Sequence, residues 1–280
     1  MADVKTAAAK PGSHGNRAGK PKNANHTLIN FLIVIACLVV SHSIFHFVFG
    51  AADNFRDAEK HVPANFAGTV YTGGFVIPIL MGTFLILLCF VVERALTIMK
   101  ANGKVNNAEF VRKVQYHLAN KNVDAALAEC DKQAGSVGNV MRAGLLKYRE
   151  MTTNNELDTD QKLLSIQKEI EEATALELPM LEKNLVFLST IASVATLLGL
   201  FGTVLGMIRA FQAMGQAGAP DAAALANGIS EALINTAIGI GTSAVAIVAY
   251  NYFTTIIDGI TYSIDESGFT LTQSFASNYK

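Results

Sequence analysis

"LANGISEALINTAIGIGTSAVAIVAYNYF", Leu225 to Phe253, decides how this chain is read. The stretch holds no Lys, Arg, Asp or His, and its one ionisable acid is Glu231. About 20 mainly apolar residues suffice for a helix to cross a bilayer. A charged residue inside such a span is costly unless it is paired or wetted, so it marks a functional candidate. The alternative at this point is a carboxylate snorkelling to the nearby outer surface. Burial raises a carboxylate's pKa, which makes protonated Glu231 an expectation.

Around Glu231 the polar residues share an arc. At about 100° per residue, Thr242 falls roughly 20° from Glu231 and Asn235 roughly 40°. Gly228 and Gly239 lie close by, and Thr236 stands at the edge of the arc, roughly 140° away. Ile240, Leu233, Val248 and Ile234 occupy the other side. The preceding apolar stretch shows the same division. In "STIASVATLLGLFGTVLGMIRA", Ser189, Ala192, Thr196, Gly199, Thr203, Gly206 and Ala210 recur at steps of three and four. All are small and lie on one helix face. Small faces let membrane helices approach closely, and they can also line a narrow polar pathway. The residues alone leave both readings open.

Four stretches of the chain qualify as spans: 28–49, 74–98, 185–211 and 225–257. The chain has 280 residues, 51% hydrophobic and 16% charged, with a mean hydropathy of +0.32. Soluble domains carry about 25% charged residues. The expected fold class is therefore an all-α membrane protein with four transmembrane helices and long helices extending into the cytoplasm. The apolar run of 28–49 exceeds the usual signal-peptide core of about 7–15 residues, so it is expected to be a retained anchor.

Lys and Arg set the orientation, because they concentrate on the cytoplasmic side. Segment 1–27 carries Lys5, Lys10, Arg17, Lys20 and Lys22; it is too polar to fold alone and is expected to be a disordered cytoplasmic leader. Connection 50–73 has only Arg56 and Lys60 and is placed in the periplasm. Segment 99–184 is rich in Lys and Arg, from Lys100 to Lys183, and is expected to be helical and cytoplasmic. Its patterned residues include Phe110, Val114 and Leu118, then Val123, Ala126, Leu127 and Cys130. Thr159 or Asp160 is the expected cap of a helix that runs on toward the third span, with Pro179 as its expected kink. Connection 212–224 lacks Lys and Arg and is periplasmic. The tail 258–280 returns to the cytoplasm.

Other function classes are excluded at this level. A net charge of −1 without clustered Arg and aromatic residues argues against nucleic acid. Three scattered Cys form neither a disulfide framework nor a metal site. There is no nucleotide-binding loop or nucleophile constellation, so no enzyme, metal or cofactor is expected.

"LLGLFGTVLGMIRAFQAMG" followed by "LANGISEALINTAIGIGTSAVAIVAYNYF" resembles ExbB-type members of the MotA/TolQ/ExbB proton-channel family. The resemblance is specific over about 185–253. It implies a homo-oligomer, expected to be a pentamer, in the bacterial inner membrane. It further implies an ExbD-like single-span partner, two copies in the pore, whose membrane aspartate carries the proton. A TonB-like protein would receive the motion and drive outer-membrane import. TolQ-like envelope maintenance or a gliding motor is the alternative output. The family's pore threonines fall on Thr203 and Thr236, and its glutamate on Glu231. Thr196, Gly199, Gly206, Asn235, Gly239 and Thr242 complete the small, polar stripe. Two features depart from the best-known members: the extra first span, which turns the N-terminus inside, and Thr196, where some relatives have proline.

Overall fold

The computed structural model describes residues 23–57, 62–215 and 222–279. Apart from one isolated bridge between Phe55 and Pro63, the regular structure of these residues is helical. The chain is an all-α membrane protein with four helical runs long and apolar enough to cross a bilayer. In chain order the helices are α1 (Asn23–Ile44), α2 (Phe66–Tyr71), α3 (Val76–Asn102), α4 (Asn107–Ala119), α5 (Val123–Gln133), α6 (Ser136–Thr153), α7 (Thr159–Glu182), α8 (Leu185–Met214) and α9 (Ala222–Asn278).

α1 begins within the stretch expected to be a leader, and most of that leader, 1–22, lies outside the described residues. A turn of π-helix, Phe45–Phe49, closes α1. The helix packs along α3. Ser41 Oγ donates to the Pro78 carbonyl at 2.5 Å, a carbonyl within the first turn of α3. Cys37 and Cys89 are free thiols with sulfurs 3.7 Å apart across the same contact. The outward face of α1 carries exposed Leu28, Phe31, Leu32 and Val39, as a face toward lipid requires.

α8 and α9 form a closely packed hairpin that also rests on α3. α9 has 57 residues. At 1.5 Å per residue it is about 85 Å long, far more than a bilayer core of about 30 Å. Its second half enters a bundle with α4, α5, α6 and α7. That bundle has a continuous apolar core of Phe110, Val114, Leu118, Cys130, Met141, Leu145, Tyr148, Ile166, Ile264, Leu271 and Phe275.

Two sequence readings of α7 are corrected. Its cap is Asp158, one residue before Thr159. Asp158 accepts from the Gln161 backbone N–H while the Gln161 side chain accepts from the Asp158 N–H. This reciprocal pair satisfies two amides that the first helical turn leaves open. The helix does not run unbroken into α8: it is interrupted at Lys183–Asn184, and Pro179 sits inside α7. Asn184 adopts the left-handed conformation, φ +66°. Asparagine tolerates this region better than most residues because its short polar side chain bonds locally. Here that side chain is held from two helices. It accepts from Asn30 of α1 at 2.9 Å and donates to Glu93 of α3 at 3.2 Å. Buried Arg94 ties Glu93 to the Leu181 carbonyl at the end of α7.

Candidate functional site

The seam between α8 and α9 is built from backbone approaching backbone. A Cβ added to Gly206 would stand 2.7 Å from the Gly228 carbonyl oxygen and from the Ala232 nitrogen. One added to Gly239 would meet the Ala195 carbonyl at 2.7 Å and the Gly199 Cα at 2.8 Å. Gly199, Gly206 and Ala210 of the predicted stripe are buried here, whereas Ser189 and Thr196 are exposed. Thr196 donates to the Ala192 carbonyl of its own helix at 3.4 Å. Thr242 is buried and donates to the Ile238 carbonyl at 2.8 Å. Small residues thus bring the two helices together, and the hydroxyls divide between the seam and its edge.

Thr203 and Thr236 meet at that edge, both half-buried, with their hydroxyls hydrogen-bonded to each other. Thr203 Oγ1 also lies 3.1 Å from the Gly199 carbonyl and 3.3 Å from the Ala232 carbonyl. A hydroxyl has one proton and two acceptor lone pairs. With three acceptors in reach, the Thr203 proton has several places to go at little rotational cost.

Toward the short connection, Glu231 is 4% exposed and is not alone. Arg209 Nη1 donates to Glu231 Oε1 at 2.6 Å and to Oε2 at 2.7 Å. Reading Glu231 from its own helix alone omitted this cation. The signal was available: between Lys183 and Asp258 the only charged residues are Arg209, Asp221 and Glu231. Each of the two spans, 185–211 and 225–257, therefore carries one charge, toward the end that meets the connection.

The turn before α3 closes over this pair. Gly74 has φ +77°, and a Cβ there would stand 2.4 Å from Glu231 Oε1. Its neighbour Gly73 accepts a hydrogen bond from Asn235 Nδ2 at 3.0 Å. Asn235 therefore faces the α3 turn inside the subunit. Gly202, outside the predicted stripe, seats it: a Cβ there would be 2.5 Å from Asn235 Cβ. Asn235 Oδ1 has no hydrogen-bond partner among the described residues. No group of three His, Cys, Asp or Glu among the described residues could hold a metal ion.

Residues 133–266, which include α8 and α9 as far as residue 266, match the model of the MotA/TolQ/ExbB proton channel family. The match covers 134 of the chain's 280 residues and makes this chain similar to the MotA/TolQ/ExbB family. It is similar to the Tol-Pal system protein TolQ of Pseudomonas aeruginosa, 34% identical over 134 residues, covering 45% of this chain and 58% of that protein. It is also similar to TolQ of Haemophilus influenzae, 43% identical over 84 residues, covering 30% of this chain and 37% of that protein. The biopolymer transport protein ExbB of Neisseria gonorrhoeae is 29% identical over 187 residues, covering 62% of this chain and 82% of that protein. The chain thus spans little more than half, or less, of the two TolQ relatives. Within the MotA/TolQ/ExbB match lie Thr203, Thr236 and the Arg209–Glu231 pair, and the family match ends at residue 266, inside α9.

Proposed function

We propose that this chain is an ExbB-like subunit of a proton-channel motor in the bacterial inner membrane. The observation that carries the reading is the Thr203–Thr236 hydroxyl pair, half-buried at the edge of the α8–α9 seam in the family-matched segment. In this reading five copies surround two single-span ExbD-like helices. Each partner aspartate would exchange hydrogen bonds with the two hydroxyls, which can donate and accept alike. Protonating that aspartate removes the cost of a buried charge and lets the inner helices turn. Each proton contributes about 2.3 kcal/mol per 100 mV of membrane potential. A TonB-like protein would take up the motion for outer-membrane import.

The Lys and Arg bias supports a cytoplasmic N-terminus, bundle and C-terminus, with Gly73–Gly74 and the α8–α9 connection in the periplasm. Thr203→Val and Thr236→Val each keep the volume but lose the hydroxyl. Both variants should assemble with the partner and abolish energy-dependent uptake. Normal uptake in both sinks the assignment. Glu231→Ala should also abolish uptake, through loss of the ion pair.

The two TolQ relatives favour a second output, Tol-Pal envelope maintenance. A strain lacking the chain separates the two. Failure of TonB-dependent uptake with an intact envelope supports import. Detergent sensitivity with normal uptake supports the Tol-like role.

A further inference from the structure

Asn235 lies mid-seam, and none of it reaches the surface. The direction of its amide is set by chemistry. Nδ2 must face the Gly73 carbonyl, because an amide oxygen there would oppose another acceptor. Oδ1 is therefore turned into the interior, where no described residue donates to it. Gly202 and Gly73 pin the side chain from two sides, so it cannot swing to solvent. A second subunit or a partner helix cannot reach a residue that is 0% exposed. A buried acceptor left unmade keeps the full cost of its lost hydration, and interiors satisfy such groups with protein donors or ordered water.

A bound water needs two to four polar partners. Glu231, one turn earlier on the same face of α9, offers them: Arg209 uses part of a carboxylate that has about four acceptor positions. The Gly73–Gly74 turn meets Asn235 at Nδ2 and Glu231 at Oε1, and their spacing of four residues stacks the two side chains on one face of α9.

We propose that a water molecule sits at this junction of α8, α9 and the α3 turn, donating to Asn235 Oδ1 and to the Glu231 carboxylate. It takes up one proton as it releases another, and so extends the polar path from the ion pair toward Thr203 and Thr236 inside each subunit. The role in conduction rests on the proton-pathway reading; the existence of the site does not.

The test has two arms. In lipid bilayers, water-to-protein magnetisation transfer is followed by solid-state NMR on the full chain. The Asn235 side-chain amide, assigned by its disappearance in Asn235→Asp, should build up several-fold faster than the buried Gly199 backbone amide. Build-up as slow as that of Gly199 overturns the site. In proteoliposomes holding the chain with its co-purified single-span partner, Asn235→Leu should lower proton flux about tenfold, and Asn235→Ser, which keeps an acceptor, less than about threefold. Equal losses assign Asn235 to holding Gly73 alone and overturn the relay. Water transfer at Asn235 with normal flux in Thr203→Val leaves the site standing and refutes the pathway reading.

Discussion

Glu231 is almost wholly enclosed, whereas its partner Arg209 keeps 48% of its side chain open. The two halves of the ion pair are therefore not equivalent. Truncating Arg209 strands a carboxylate in an apolar seam, while truncating Glu231 leaves a cation that already touches solvent. Breaking a buried pair by removing one partner costs about 3–5 kcal/mol, and the half-open Arg209 argues for the low end. Thermal unfolding in detergent should show Arg209→Leu well below wild type, Glu231→Leu less so, and the double variant recovering part of the loss. A double variant less stable than Arg209→Leu alone contradicts the pairing. Glu231 was legible as the one acid of its span, and Arg209 was equally legible as the one cation of the other. Each span read by itself hid the pair, because charge compensation in a membrane is a property of neighbouring helices. Asn235 was legible only as polar. Its partner Gly73 lies 162 residues away, which no helical periodicity encodes.

Glycines on α9 serve opposite ends depending on which face they occupy. Gly239 lies against the α8 backbone, and a methyl group there would overlap carbonyl and Cα atoms that cannot rotate away. Gly241, two residues on, has nothing within 4 Å of its missing Cβ. Gly239→Ala should pry the hairpin apart and lower the melting temperature, at a cost of about 1–3 kcal/mol for overpacking. Gly241→Ala should be neutral or raise stability by up to about 1 kcal/mol, the propensity difference in a helix interior. Loss of stability at both positions indicates that helix geometry, not face, sets the requirement. The stripe on α8 was legible because steps of three and four repeat along the helix. Its division was not: Gly199 and Gly206 enter the seam while Ser189 and Thr196 look outward, and only the position of α9 decides which. Likewise, the break between α7 and α8 follows tertiary contacts of Asn184 with Asn30 and Glu93, which no local pattern encodes.

α9 reaches both the membrane hairpin and the bundle, since it carries Asn235 in the seam and Phe275 in the bundle core. The bundle must therefore stay packed if motion at the hairpin is to reach it. Cys130 reports on that packing. Burial pushes its thiol from 9.0 up to about 12. At pH 8 only about one thiol in ten thousand is then the reactive thiolate. In a chain carrying Cys37→Ser and Cys89→Ser, a maleimide pulse at pH 8 should leave Cys130 unlabelled. Phe275→Ala removes a wholly buried ring that packs edge-on against Tyr148, at a cost of about 3–5 kcal/mol, and should expose Cys130 to rapid labelling. The pH dependence has a definite sign. Between about 9 and about 12 the unfolded thiol loses its proton while the folded one keeps it. The unfolded state then binds fewer protons, so stability falls as pH rises through this window. Replacing Cys130 with Ala should flatten that decline in an alkaline melting series, and an unchanged slope would assign it to other groups. Prompt labelling of Cys130 in the otherwise native chain would mean that the bundle opens by itself, and α9 could not then act as a rigid link between seam and bundle.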